Sequence, residues 1–278
     1  VFSTVDNKPL TTINSAYPVI VEDRLVGTIL LENDVKTLQR HGFKNQYLNE
    51  YIIKSCIDKK KRKYFQFNDI VHQSPKMKEL IHLSKKVSLN RSSILIYGET
   101  GTGKELLAQS IHQYSKDDNA PFVAINCAAV PENLAESLFF GTVKGVFTGS
   151  ENTEGFFHQA NGGTLFLDEV NSMSLEMQSK LLRVLQNKKY RKIGSKKELP
   201  VDVRIISASN ENLRTLVDKK KIRSDFYYRI STIVLNIPSL SERIEDIELL
   251  IEHFIRQYNE SSRKEIKGVT KSVENILK

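Results

Sequence analysis

The apolar positions change their period near residue 65, and the change divides the chain. Before it, Ala16-Tyr17-Pro18-Val19-Ile20-Val21 and Leu25-Val26-Gly27-Thr28-Ile29-Leu30-Leu31 predict two strands. Glu22-Asp23-Arg24 between them predicts a short hairpin turn. Asn33-Asp34 then predicts a helix cap before Val35 and Leu38, and a further helix is expected over 47–57. After residue 65 strands alternate with helices, which predicts an α/β fold with a mostly parallel sheet. Strands are expected at 93–97, 122–125, 164–167, 203–207 and 232–237. Helices are expected from Ser74-Pro75, from Lys104, and near 131–139, 174–187 and 211–218. Beyond Pro238, Ile244, Ile247, Leu250, Ile251 and Phe254 recur at three and four, the period of an amphipathic helix.

Composition narrows the class. The chain has 278 residues, 40% hydrophobic and 27% charged, as ordinary soluble globular proteins do. No window approaches the ~18 apolar residues of a membrane span, so no membrane contact is expected. Cys56 and Cys127 show no metal spacing, and two thiols without a disulfide framework favour a reducing cytoplasm. The chain starts at Val1 with no leader pattern, which reads as a piece of a longer protein. Net charge is +8, gathered in runs at 59–63, 188–192 and 219–221. Such runs are read as a solvated linker and solvated loop faces.

The chemistry sits at strand ends. Gly98-Glu99-Thr100-Gly101-Thr102-Gly103-Lys104-Glu105 follows a strand and opens a helix, the context of a phosphate-binding P-loop. Glycines let backbone N–H groups converge on phosphates, and the helix N-terminus adds positive potential. Lys104 is placed to reach the β- and γ-phosphates, while Glu105 stands where Ser or Thr usually meets Mg²⁺. Thr164-Leu165-Phe166-Leu167-Asp168-Glu169 is an apolar strand ending in two acids, a Walker B form. Asp168 is expected to hold Mg²⁺ and Glu169 to orient the attacking water. Asn126 and Ser209-Asn210 end neighbouring strands, where open parallel sheets bind ligands. Gly145-Val146-Phe147-Thr148-Gly149-Ser150 places an aromatic between glycines, as a protein-contacting loop would.

These residues resemble the central AAA+ domain of bacterial enhancer-binding proteins, the ATP-driven activators of sigma-54 RNA polymerase. The likeness runs from about Phe67 to Asp246. It includes GETGTGKE at 98–105, INCAAVPENLAES at 125–137, GVFTGS at 145–150, GGTLFLDEV at 162–170, VDVRIISASNENL at 201–213 and IRSDFYYRI at 222–230. The family P-loop itself ends in Lys-Glu, which accounts for Glu105. The resemblance implies an AAA+ P-loop NTPase fold with a five-stranded parallel sheet and the start of a helical lid. It implies that Ile70 and Val71 flank the adenine, and that Asn126 holds Glu169 until nucleotide is sensed. Ser209 and Asn210 fall on sensor I. Arg223 and Arg229 match arginines that reach a neighbouring subunit's γ-phosphate, which implies a homo-oligomeric ring, usually of six. Gly145, Phe147, Thr148 and Gly149 match the loop that touches sigma-54. Val143, His158, Leu138, His72 and Ser241 depart from the usual family residues.

The segment 8–18 is similar to the end of PAS sensor domains in activators of arginine and amino-acid catabolism genes. The expected organisation is a PAS-like tail at 1–38, a helical basic linker at 39–64, the AAA+ ATPase subdomain at 65–240 and a lid start at 241–278. The sensor II segment and a DNA-binding helix-turn-helix are expected beyond residue 278. The implied activity is ATP hydrolysis, with Mg²⁺, coupled to remodelling of the sigma-54 holoenzyme. A AAA+ unfoldase or DNA-loading factor, and a non-hydrolysing nucleotide switch, stay open as alternatives. The Phe147-Thr148 loop separates the first from the main reading, and Asp168, Glu169 and the two arginines separate the second.

Overall fold

In the computed structural model the described residues are 3–5, 8–10, 12–21, 24–34, 64–115, 120–145, 152–262, 264–270 and 273. The expected helix at 47–57, the basic run at 59–63, Cys56, Phe147, Thr148 and Gly149 lie outside them.

The N-terminal strands are β1 (Ser3–Val5), β2 (Lys8–Leu10), β3 (Thr12–Val21) and β4 (Arg24–Asp34). β1 pairs antiparallel with β2, and β3 with β4. The expected hairpin is present and longer than its apolar runs. Asn33 and Asp34 are the last residues of β4 and pair with Ile13 and Thr12 at the end of the ladder; the helix expected after them lies outside the described residues. Cross-strand pairing satisfies their backbone groups.

The main sheet has five parallel strands: β5 (Ile94–Tyr97), β6 (Phe122–Asn126), β7 (Thr164–Asp168), β10 (Arg204–Ser209) and β11 (Ile233–Asn236), in the order β11-β5-β10-β7-β6. Between β7 and β10 an antiparallel pair, β8 (Lys189–Arg191) with β9 (Glu198–Pro200), replaces the loop expected at 188–192. Lys189 and Arg191 stay exposed, and Arg191 pairs with Glu198 at 2.7 Å. Among the described residues there are eight α-helices: α1 (Pro75–Ser88), α2 (Lys104–Tyr114), α3 (Glu132–Phe140), α4 (Phe156–Gln159), α5 (Leu175–Asn187), α6 (Leu213–Asp218), α7 (Ser224–Ile230) and α8 (Asp246–Ser262). Among the described residues no helix is long and apolar enough to cross a membrane.

The strands read as continuous apolar runs because both sheet faces are covered. Alternation still sorts their side chains. Leu95, Leu165, Leu167 and Ile205 join one core with α3, α4, α5, α6 and α7. Ile94, Ile96, Phe166 and Ile206 join a second core with α1 and α2. Helix ends are held across elements. Arg204 of β10 is buried and donates from Nη1 and Nη2 to the Ser88 and Val87 carbonyls, at 3.0 and 2.9 Å. That guanidinium serves the carbonyl end of α1, where cations are favoured.

Phe157 anchors the first core. It is 0% exposed and stacks on Phe140 and Tyr190, with ring centroids 5.7 and 6.0 Å apart. Phe157→Ala should cost about 3–5 kcal/mol of stability, read from urea unfolding. A cost below about 1 kcal/mol would mean the neighbouring rings refill the space.

Candidate functional site at the strand carboxyl ends

β5 ends at Tyr97 and the chain enters the glycine loop at once. The Gly98 amide donates to the Ser209 carbonyl at 3.2 Å, carrying the β5–β10 pairing into the loop. A side chain at Gly98 would meet Thr102 Oγ1 at 2.8 Å and Ile237 Cβ at 3.2 Å, so glycine is needed there. Gly101 and Gly103 have φ of +83° and +96°, a region that costs an L-residue energy. The loop thus turns back over Lys104, which opens α2 and is only 8% exposed. Lys104 Nζ donates to the Gly98 and Glu99 carbonyls, both at 2.9 Å. Among the described residues the amides of Thr100, Gly101 and Gly103 meet no backbone acceptor. With the first turn of α2 they offer a set of backbone donors suited to phosphate oxygens. Glu105 is exposed and accepts from Gln109 Nε2 at 3.0 Å, along the helix surface. Ile70 is buried in the second core, and Val71 is half-buried beside it in sequence.

Asp168 is the last residue of β7 and Asn126 the last of β6, and the two are paired across the sheet. Asp168 Oδ1 accepts the Glu169 amide at 2.9 Å. Glu169 has φ +49° and ψ +44°, a left-handed backbone that non-glycine residues rarely hold. Its carbonyl accepts from the Ser172 amide at 2.9 Å and from Ser172 Oγ at 2.7 Å, closing a tight turn. Asn126 Oδ1 accepts from the Ala128 and Ala129 amides at 2.9 and 3.3 Å. Among the described hydrogen bonds none joins Asn126 to Glu169. Cys127, next in the chain, is buried; burial pushes its thiol far up, and the charges of Asp168 and Glu169 add to the rise.

At the end of β10, Ser209 is 0% exposed. Its Oγ lies 3.2 Å from Asn171 Oδ1 and 2.7 Å from the Glu211 carbonyl, and it accepts the Glu211 amide at 3.1 Å. Asn171 Nδ2 donates to Glu211 Oε1 at 3.1 Å. Asn210 is exposed between them. Asn171 and Glu211 were invisible as site residues, because nothing local marks two polar residues that meet only through the sheet order.

The two arginines lie at either end of α7, and both are exposed. Arg223 makes a bidentate pair with Asp225, Nε to Oδ1 at 3.0 Å and Nη2 to Oδ2 at 2.8 Å. The hydrogen bond from Arg223 holds the Asp225 carboxyl below its ordinary range. Arg229 Nη2 donates to the Leu185 carbonyl. Gln178, fully buried, accepts the Arg223 amide at 2.9 Å and so fixes where α7 begins. The lid side is tied in by another residue pair that local sequence does not mark. Asp246 is 0% exposed and accepts from the Gln73 amide, the Ser74 amide and Ser74 Oγ at 2.6, 2.6 and 2.9 Å. Arg243 lies 3.9 Å from Asp246 and donates to the Thr102 carbonyl of the glycine loop at 3.4 Å.

The loop with Gly145 leaves a short stem. Thr142 and Thr153 Oγ1 atoms are 2.9 Å apart, and the Lys144 amide donates to Asn152 Oδ1 at 3.1 Å. Gly145 has φ +89°, and residues 146–151 after it lie outside the described residues.

The arrangement suits a nucleotide with a hard cation. Among the described residues no group of three or more His, Cys, Asp or Glu is placed to hold a metal. The carboxylate of Asp168 has one oxygen on the Glu169 amide and a second for a cation, whose other ligands would be phosphate and water oxygens.

A P-loop and an acidic strand end on a β11-β5-β10-β7-β6 sheet, with a helical lid following, define an AAA+ P-loop NTPase. Residues 70–236 match the family described as the Sigma-54 interaction domain, and 241–278 match the AAA+ ATPase lid domain. The chain belongs to the Sigma-54 interaction domain family. It is 42% identical to the transcriptional activator RocR of Bacillus subtilis over 268 residues, 96% of this chain and 56% of RocR. It is 48% identical to the transcriptional regulatory protein GlrR of Escherichia coli over 189 residues, 68% of this chain and 43% of GlrR. The chain thus spans about half the length of these relatives. A crystal structure of NtrX from Brucella abortus in complex with ATP matches with a TM-score of 0.71 at 31% identity, over 86% of this chain and 53% of that one.

The raised Cys127 thiol should be inert. In a Cys56→Ser background, iodoacetamide at about pH 8 should leave the native protein unmodified and label it after unfolding. Rapid labelling of the native form would mean that the 127–129 turn opens beside the acidic pair.

Proposed function

We propose that the protein hydrolyses ATP and couples hydrolysis to remodelling of the sigma-54 RNA polymerase holoenzyme, allowing promoter opening. The observation that carries this reading is that the glycine loop with Lys104 and the Asp168-Glu169 turn follow the carboxyl ends of β5 and β7, the two strands that flank β10 in one parallel sheet, in a chain of the Sigma-54 interaction domain family. The NtrX structure with ATP supports the nucleotide.

The glycine loop, with the amides of Thr100, Gly101 and Gly103, wraps the phosphates. Lys104 exchanges loop carbonyls for β- and γ-phosphate oxygens and neutralises charge that builds in the transition state. Ile70 and Val71 pack against the adenine. Glu169 orients the attacking water and polarises it for in-line attack, while Asn126 and Asn210 position Glu169 and the γ-phosphate. Asp168 is the residue that would hold Mg²⁺, and the ion would supply positive charge to offset that of the phosphates. Arg223 and Arg229 leave Asp225 and the Leu185 carbonyl to reach the γ-phosphate of a neighbouring copy. An arginine supplied in trans is worth about 10³–10⁵ in rate in related phosphoryl transfers, and it makes a homo-oligomeric ring, usually six, the active form. Gly145, Phe147, Thr148 and Gly149 form the loop that contacts sigma-54. Residues 1–38 are the tail of a PAS-like sensor, 39–64 a linker, 65–240 the ATPase subdomain and 241–278 the lid. The protein acts in the cytoplasm, and a helix-turn-helix outside this chain contacts DNA.

Glu169→Ala should bind ATP with near-normal affinity by calorimetry while turnover falls about 10²-fold or more. Near-normal turnover would mean that another group orients the water. Thr148→Ala should keep ATPase activity and lose nucleotide-dependent retention of sigma-54 in a native gel. Retention at the parent level would overturn the partner assignment and favour another remodelling class.

A further inference from the structure

We infer that Asn171 is a positioning residue for hydrolysis: its side-chain amide clamps the Glu169 turn to both residues that flank Asn210. The inference rests on the reading of Glu169 as the residue that orients water.

The turn begins on a left-handed Glu169, a conformation that persists only when the surroundings hold it. Two sets of bonds do so. One is internal to the turn: Asp168 Oδ1 with the Glu169 amide, and the Glu169 carbonyl with Ser172. Those bonds set the shape of the turn but not its place against the neighbouring strand. The second set runs through Asn171. Its Oδ1 faces Ser209 Oγ at 3.2 Å and its Nδ2 donates to Glu211 Oε1 at 3.1 Å.

Asparagine suits the task because it carries an acceptor and donors on one short planar group. Aspartate in its place would keep the acceptor and set a carboxylate against Glu211. Serine would be too short to meet both partners. The Ser209 hydroxyl has one proton, shared between the Glu211 carbonyl at 2.7 Å and Asn171 Oδ1 at 3.2 Å, so the Nδ2 bond to Glu211 is the firmer half of the clamp and the Ser209 contact the weaker one. Ser209 is also the residue whose carbonyl accepts the Gly98 amide. Asn171 therefore joins three parts of the site: the acidic turn, the β10 end carrying Asn210, and the first glycine of the phosphate loop. A shift of the turn would move the Glu169 carboxylate relative to the γ-phosphate, and small misplacements of a reacting group are costly in rate.

The test uses the whole chain at a concentration where ATPase activity per molecule no longer rises. Asn171→Ala should lower kcat about tenfold while the Kd of a non-hydrolysable ATP analogue stays within about twofold. Asn171→Asp should lose more, through repulsion from Glu211. Adding Glu211→Gln to Asn171→Asp restores a donor opposite an acceptor, and should bring kcat back to within about threefold of the parent. A merely structural role would not give that rescue. Unchanged kcat in Asn171→Ala, a loss that appears wholly in Kd, or a double variant no better than Asn171→Asp would each overturn the inference. Should the Asn171 variants fail to fold, Glu211→Ala at an exposed position carries the test; its kcat should fall about threefold, and an unchanged kcat would overturn it. The two readings separate cleanly. Normal turnover in Glu169→Ala removes the water-orienting role itself. An inert Glu169→Ala beside a normal Asn171→Ala removes only the clamp.

Discussion

Parallel pairing of β5, β10 and β7 ends three strands on one edge of the sheet. Ser209 is opposite Tyr97, so the glycine loop begins about one strand spacing, ~4.8 Å, from Ser209; Ser207 is opposite Leu167, so Asp168 ends β7 one residue short of the level of Ser209. The Gly98 amide on the Ser209 carbonyl extends that register one residue past the strand. A slip of one residue would send Leu165 and Leu167 to the face of Phe166 and reverse both cores. Burial on two faces therefore locks the register, and the register locks the site.

Apolar packing alone would leave the helices free to slide by fractions of a turn. Buried polar side chains remove that freedom. Gln178 joins α5 to the start of α7, Arg204 joins β10 to the end of α1, and Asp246 joins α8 to the start of α1. Each is fully or nearly fully buried, where an unmade hydrogen bond is expensive, so each accepts only one placement of its partner. Asn171 belongs with them in kind, although it is only half-buried.

The arginines of α7 show the other side of the same logic. They lie on exposed ends of a short helix and satisfy themselves locally, Arg223 on Asp225 and Arg229 on the Leu185 carbonyl. An exposed ion pair contributes little to stability and can be exchanged for a better partner at small cost. Residues proposed to act on a neighbouring copy are held by bonds of that exchangeable kind. Lys104, which is proposed to act within its own chain, is instead buried.

Local sequence determined much of this protein. The glycine loop, the acidic strand end, the five main strands and the helix after Lys104 were legible because each depends on residues adjacent in the chain: glycine torsions, apolar runs and their period. Residue identity also marked Asn126, Ser209, Asn210, Arg223 and Arg229 as candidates. Only tertiary structure decided which of them share hydrogen bonds. Asn126 serves the Ala128 and Ala129 amides, while Ser209 meets Asn171 from a separate loop. Tertiary pairing also drew Asn33 and Asp34 into a strand, and Lys189 and Arg191 into a hairpin, against their local preference. The physical reason is the same in each case. A backbone or side-chain polar group must find a partner once water is removed, and the nearest partner in space is set by strand order, which a linear pattern does not contain.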